Sequence, residues 1–202
     1  AILAVYDSLG ITTLLTAPTG RAAKRMGELT GREAATIHRL LGAGFSEDGE
    51  RVVFAKGADD RLDCGAVVLD ECSMVDITLM DALLQAMPED ARLILVGDAD
   101  QLPSVGPGRV LADILKSGAV PAVRLTEIFR QAHESRIVSL AHEINAGRHP
   151  NLAENKGDFF FLRRQNGERT AETVAELCSV RLPGKMGIPV EDIQVLTPTR
   201  KG

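Results

Sequence analysis

Two apolar runs of β-strand length, Ala66–Leu69 and Leu93–Val96, each stop at polar residues: Asp70-Glu71 after the first, Gly97-Asp98 after the second. Between them Leu79, Met80, Leu83, Leu84 and Met87 fall along one helical stripe, with Asp76 ahead of it as an N-cap. A continuous apolar run this short suits a strand buried on both faces, the habit of parallel sheets covered by helices. Strand, helix and strand in this order make a β-α-β unit. Such a unit commits the chain to the α/β class, with a mostly parallel sheet flanked by helices.

The pattern continues on both sides. Thr12–Ala17 is a short β-rich run, after which Pro18-Thr19-Gly20 opens a basic helix that Thr30-Gly31 stops. A second helix is expected to run to about Leu41, where Gly42 and Gly44 break the periodicity. Residues 44–63 are polar apart from an expected strand at Val52–Ala55, and they read as a surface excursion. A helix from about Arg109 ends at Gly118, and Gly118 with Pro121 marks a boundary between a first domain, 1–122, and a second, 123–202. The second repeats the theme: strands at Val123–Thr126, Asp158–Arg163 (with Phe159–Phe161 as a core strand) and Ile193–Thr197, and helices at Ser135–Ala146 and Thr170–Leu182.

Composition narrows the functions open to such a sheet. With 45% of its 202 residues apolar and 25% charged, the chain has material for a core and is not disordered. No apolar run approaches the roughly 18 residues of a membrane span, so no membrane partner is expected. Ala1–Gly10 lacks the basic flank and cleavage site of a signal peptide. Cys64, Cys72 and Cys178 show no C-x-x-C spacing, so neither a disulfide scaffold nor a zinc cluster is expected, and a reducing, cytoplasmic setting fits. Six Phe, one Tyr and no Trp argue against binding nucleic acid mainly by stacking bases on rings. The net charge of −5 is unevenly spread. Residues 16–41 carry Arg21, Lys24, Arg25, Arg32 and Arg39 against Glu28 and Glu33, a net of +3. Residues 57–100 carry eleven Asp/Glu against Arg61 and Arg92, a net of −9. Such a division suits an anionic polymer at one place and a metal cation at another; two solvated faces are the plain alternative.

The chemistry-bearing residues gather at strand ends, where open α/β sheets bind ligands. Asp70 can hold Mg²⁺, which prefers one or two carboxylates plus phosphate oxygens and waters. Glu71 can orient and deprotonate an attacking water. After the second strand Gln101 is suited to sensing a phosphate or placing a water, and Ser104-Val105-Gly106-Pro107-Gly108 permits close backbone approach to a ligand. Thr16–Ala23 brings a helix N-terminus, hydroxyls and Arg21 to a phosphate-backbone site. Arg130 in EIFRQ offers a planar guanidinium for a transferring γ-phosphate.

Taken in order, these segments resemble the motifs of superfamily I helicases, specifically the RecD-like DNA helicases related to the exonuclease V alpha subunit. LTAPTGRAA resembles motif Ia, and TIHRLL (Thr36–Leu41) the DNA-contacting segment that follows it. LDECSM resembles motif II, VGDADQLPSVGPG motif III, EIFRQ motif IV, and VLTPTRKG (Val195–Gly202) the segment after it. The resemblance implies a RecA-like P-loop NTPase fold with part of a second RecA-like domain, ATP and Mg²⁺ as cofactors, and 5′ to 3′ translocation on single-stranded DNA in recombination and repair. Under it Asp70 (the Mg²⁺ residue, through water), Gln101 and Arg130 bind the nucleotide, and Glu71, Gln101 and Arg130 are catalytic. Pro18, Thr19, Gly20, Arg21, Thr36, His38, Ser104 and Val105 contact DNA. Nuclease or helicase subunits of a repair complex are the implied protein partners.

The sequence departs from the family in one respect: no G-x-x-x-x-G-K-[ST] occurs in it, and motifs V and VI are missing. Ala1–Leu9 resembles the rest of the helix that follows the Walker A loop. The chain is therefore read as a central piece of a longer helicase, expected by itself to hydrolyse no ATP. A conjugative relaxase-type motor and a catalytically silent DNA-binding module are the rival readings. Cys72 and Cys178 read as small core residues, and His133, His142 and His149 as surface positions.

Overall fold

All four residues of Ala66–Leu69 are buried in a strand, as their unbroken apolar character requires. In chain order this strand is β5. It lies between β1 (Thr13–Ala17) and β6 (Arg92–Leu95), and β1 is flanked in turn by β2 (Ala34–Thr36), giving the order β2-β1-β5-β6. Every pairing is parallel, with Thr16 opposite Leu69, Leu69 opposite Leu95, and Ala17 opposite Thr36. The computed structural model describes residues 1–46, 48–49, 51–125, 135–153 and 157–198. These form two compact units, 1–125 and 126–202.

In the first unit the alternation of β5 feeds two cores. Val67 and Leu69 enter a large cluster with Ile37, Leu41, Met80, Leu83, Val110 and Leu111. Val68 turns the other way, against Leu15, Met26 and Leu3. The large cluster holds α4 (Ile77–Ala86) and α5 (Val110–Ser117); α1 (Ile2–Ser8) and α2 (Gly20–Thr30) cover the opposite face. Their ends follow local chemistry. The Thr19 hydroxyl accepts from the Ala22 amide at the start of α2, and Gly31, left-handed at φ 67°, stops it. Asp76 caps α4 by accepting from the Leu79 amide at 2.8 Å.

The second helix expected up to Leu41 is shorter than that. Ala34–Thr36 is strand β2, and only Ile37–Leu40 (α3) is helical, begun by the Thr36 hydroxyl accepting from the Arg39 amide. The outer edge of β1 needs a ladder partner, and that demand overrides the helical preference of two alanines. The excursion that follows contains a hairpin, β3 (Ala43–Phe45) antiparallel to β4 (Val52–Phe54), of which only the second strand was expected.

The second unit is helical among its described residues. It contains α6 (Arg136–Asn145), α7 (Gly167–Glu176) and α8 (Leu182–Met186), the last two joined by a π-helical turn, Leu177–Arg181. Asp158 accepts from the Ser135 hydroxyl and from the amides of Arg136 and Ile137, which holds its carboxyl below the ordinary range. The strands expected at Asp158–Arg163 and Ile193–Thr197 do not form. Phe159 sits in an isolated bridge, and Phe160 and Leu196 are exposed. The run Val123–Leu125 is likewise irregular, and Thr126 lies outside the described residues. Pro183 and Gly184, expected beyond the last helix, lie inside α8, because proline is tolerated in a first helical turn. No described helix is long and apolar enough to cross a membrane.

Candidate functional site

Because all four strands run parallel, their C-terminal ends line one edge of the sheet. Thr36 ends β2, Pro18–Arg21 follows β1, Asp70-Glu71 follows β5, and Val96–Gln101 follows β6. The strand order thus sorts charge along that edge. The basic segment 16–41 sits on the β1–β2 flank and the acidic residues on the β5–β6 flank.

The acidic pair is held by backbone bonds on both sides. The Asp70 amide donates to Thr16 O at 2.9 Å, and the Asp70 carboxylate accepts from the Glu71 amide at 2.9 Å. Glu71 adopts φ 53°, the one positive φ at a non-glycine among the described residues. The Met74 amide donates to Glu71 O, and the Cys72 amide to Val96 O. Gly97 makes this join possible: a methyl group there would stand 2.8 Å from Cys72 Sγ and 3.2 Å from its amide nitrogen. The Cys72 thiol is buried and its pKa is pushed up to about 11, first by that burial and further by Asp70 and Glu71, so it is a packed core group and no nucleophile.

Gln101 is exposed and lines a small pocket with Ser73, Pro103, Arg109 and Leu111. Two of these were missed from sequence. Ser73 has a buried hydroxyl without a partner, and Arg109 makes no ion pair among the described residues. Their signals were the adjacency of Ser73 to the acidic pair and the cation directly after Gly108.

On the basic flank Arg21 is exposed at the start of α2, whose first amides have no intrahelical partner. The hydroxyls of Thr19 and Thr36 are both engaged as caps. His38 is exposed and lies tilted against Phe54, with ring centroids 5.9 Å apart. Ser104 is also engaged, donating toward the carbonyls of Gly106 and Gly108, while Val105 and Leu102 project fully into solvent. Arg130, like His133, lies outside the described residues.

The donor set suits a hard cation. The Asp70 carboxylate keeps one oxygen beyond the Glu71 bond, and the Thr16 and Ser73 hydroxyls are buried without partners. Among the described residues no cluster of three or more His, Cys, Asp or Glu is placed to hold a metal. One carboxylate with waters and phosphate oxygens is the arrangement Mg²⁺ takes.

The AAA domain family matches residues 1–161. The ATP-dependent RecD2 DNA helicase of Deinococcus radiodurans is 39% identical over 203 residues, covering 100% of this chain and 26% of that protein. The RecBCD enzyme subunit RecD of Mycobacterium tuberculosis is 42% identical over 151 residues, 66% of this chain and 25% of that protein. The ATP-dependent DNA helicase dda of Enterobacteria phage T4 is 36% identical over 114 residues, 56% of this chain and 26% of that protein. The chain therefore spans about a quarter of the length of these relatives.

Proposed function

We propose, from the premise that this chain belongs to the RecD-like branch of the AAA domain family, that residues 1–202 form part of the motor of an ATP-dependent DNA helicase acting on single-stranded DNA. The observation that carries this reading is the sheet edge on which the acidic pair and the basic segment stand at neighbouring parallel strand ends.

In this reading Glu71, held in a left-handed backbone conformation, orients the attacking water and takes its proton. Asp70 would hold Mg²⁺, which when bound would supply charge neutralisation to the nucleotide phosphates. Gln101 reads the γ-phosphate from its exposed loop, and Arg130 is the guanidinium assigned to the transferring phosphoryl group. The Lys and glycines that cradle ATP phosphates in this family have no counterpart in these 202 residues. Pro18–Arg21, Thr36, His38 and the loop at Ser104-Val105 face the DNA. There the Thr19 and Thr36 hydroxyls order the helix starts, and backbone amides with Arg21 make the phosphate contacts. Movement is 5′ to 3′, in DNA recombination and repair in the cytoplasm, alone or with nuclease subunits.

The deciding experiment measures ATP hydrolysis by the intact protein with and without oligo-dT, alongside strand separation of a tailed duplex. Hydrolysis stimulated by single strands supports the motor. DNA binding without hydrolysis would leave the silent module instead.

A second measurement addresses the basic flank. Arg21→Ala is expected to weaken single-strand binding by a similar factor on poly-dT and on mixed sequence, and to flatten the salt slope by about one unit, since a phosphate contact carries no sequence information. Anisotropy of labelled oligonucleotides at several salt concentrations reads both. Unchanged affinity and slope would make residues 16–41 a solvated face.

A further inference from the structure

The loop that carries Gln101, Ser104 and Val105 is seated on the segment that follows the acidic pair. Its first residue, Gly97, packs on Cys72. At its far end the Pro107 carbonyl accepts from the Ile77 amide at 2.9 Å, and Gly106 stands directly against the Asp76 side chain. A methyl group at 106 would sit 2.7 Å from Asp76 Cγ and 2.8 Å from its Cβ, inside the space of the carboxyl group. Asp76 cannot swing aside freely, because its Oδ1 accepts from the Leu79 amide at 2.8 Å and its carbonyl from the Met80 amide at 3.0 Å. The Ser104 hydroxyl, which donates toward the carbonyls of Gly106 and Gly108, stiffens the loop over this seat.

We propose that Asp76 is a positioning residue that couples DNA to ATP hydrolysis: the Asp76–Gly106 contact ties the DNA-facing loop to the segment 72–77, so that a loop displaced by DNA moves the turn carrying Asp70 and Glu71. A helix cap requires only one acceptor at 76, and Ser or Thr would serve. What the carboxylate adds is its second arm, which touches Gly106. The alternative paths between loop and turn, Gly97 on Cys72 and Pro107 on Ile77, flank this contact and leave Asp76 as the side chain that spans them. This inference rests on the helicase reading and adds to it the route by which one flank of the sheet edge informs the other.

The test uses the intact protein with three variants, Gly106→Ala, Asp76→Ser and Asp76→Asn. Gly106→Ala pushes the loop off its seat. Asp76→Ser keeps the cap and removes the arm. Asp76→Asn keeps both the cap and an arm of the same shape. Gly106→Ala and Asp76→Ser are each expected to lose on the order of tenfold in stimulation of ATP hydrolysis by oligo-dT, within the usual range of coupling between sites, with hydrolysis in the absence of DNA within about twofold of the parent in Asp76→Ser. Asp76→Asn is expected to keep most of the stimulation, a result that loss of a needed charge at 76 would not produce. A readout independent of turnover is amide exchange at Ile77 without DNA or nucleotide, expected to accelerate by about tenfold in Asp76→Ser as the loop lifts from its seat, and to stay near the parent rate in Asp76→Asn. Full stimulation in both Gly106→Ala and Asp76→Ser would overturn the proposal, as would an Asp76→Asn variant no better than Asp76→Ser. Absence of stimulated hydrolysis in the unsubstituted protein would instead bring down the helicase reading, and the coupling with it.

Discussion

Glu71→Gln in the intact protein is expected to lower ATP turnover by about two to four orders of magnitude, the range for loss of a general base, while nucleotide binding stays near the parent level. Glutamine matches glutamate in shape and still reaches the water, but it cannot take the proton. The backbone that presents it is fixed by bonds the substitution leaves alone: the Glu71 amide to the Asp70 carboxylate, the Met74 amide to Glu71 O, and the Cys72 amide to Val96 O. Asp70→Asn separates the two roles, since it weakens the cation site and should raise the Mg²⁺ concentration needed for half-maximal rate. Steady-state hydrolysis with a coupled assay, and titration of a fluorescent nucleotide, measure both quantities. Hydrolysis at the parent rate in Glu71→Gln would remove Glu71 from the role of base.

The second large effect is on stability. Leu69→Ala is expected to destabilise the first unit by about 2–5 kcal/mol, the cost of deleting buried methyl groups from a leucine whose cavity cannot fully collapse. Leu69 is fully buried and lies in β5, between Thr16 of β1 and Leu95 of β6 in register. Its carbonyl accepts from the Val96 amide at 2.8 Å, so the surrounding backbone is held on both sides and has little freedom to relax inward. Exposed Leu84 is the control: alanine there should change stability by about 0.5 kcal/mol or less, as at most surface sites. Urea denaturation followed by far-UV circular dichroism gives both midpoints. Equal midpoints for the two variants would mean that the centre of the sheet is not the packed core described here.

The residues that were easiest to read are those whose environment is the same from every side. Ala66–Leu69 is apolar throughout because it is covered on both faces, and Asp76 and Gly118 mark helix ends by their own backbone chemistry. β2 was misread as helix because nothing in Ala34-Ala35 records the ladder partner that captures it. Ala43–Phe45 was missed for a related reason: its three residues are exposed and show no alternation to follow. In the second unit, apolar character at Phe159–Phe161 and Val195-Leu196 was taken for strands, yet a strand is a property of two segments and only one was visible. At the site, the types and order of Asp70, Glu71 and Gln101 were legible, whereas their support was not. That Ser104 bonds its own loop, that Ser73 and Arg109 join Gln101 at a pocket, and that Gly106 abuts Asp76 are contacts made by the fold between distant parts of the chain.

The left-handed backbone at Glu71 has a consequence for directed evolution. A side chain with a Cβ costs roughly 1–2 kcal/mol in that conformation, and glycine pays none of it, with asparagine between the two. A library of this chain selected only for thermal tolerance should therefore accumulate Gly or Asn at 71, a gain in melting temperature obtained by surrendering the carboxylate. Selected for DNA-dependent growth, the same library should keep Glu and find its stabilising changes elsewhere. Position 71 is thus where fitness for folding and fitness for work pull the same residue in opposite directions.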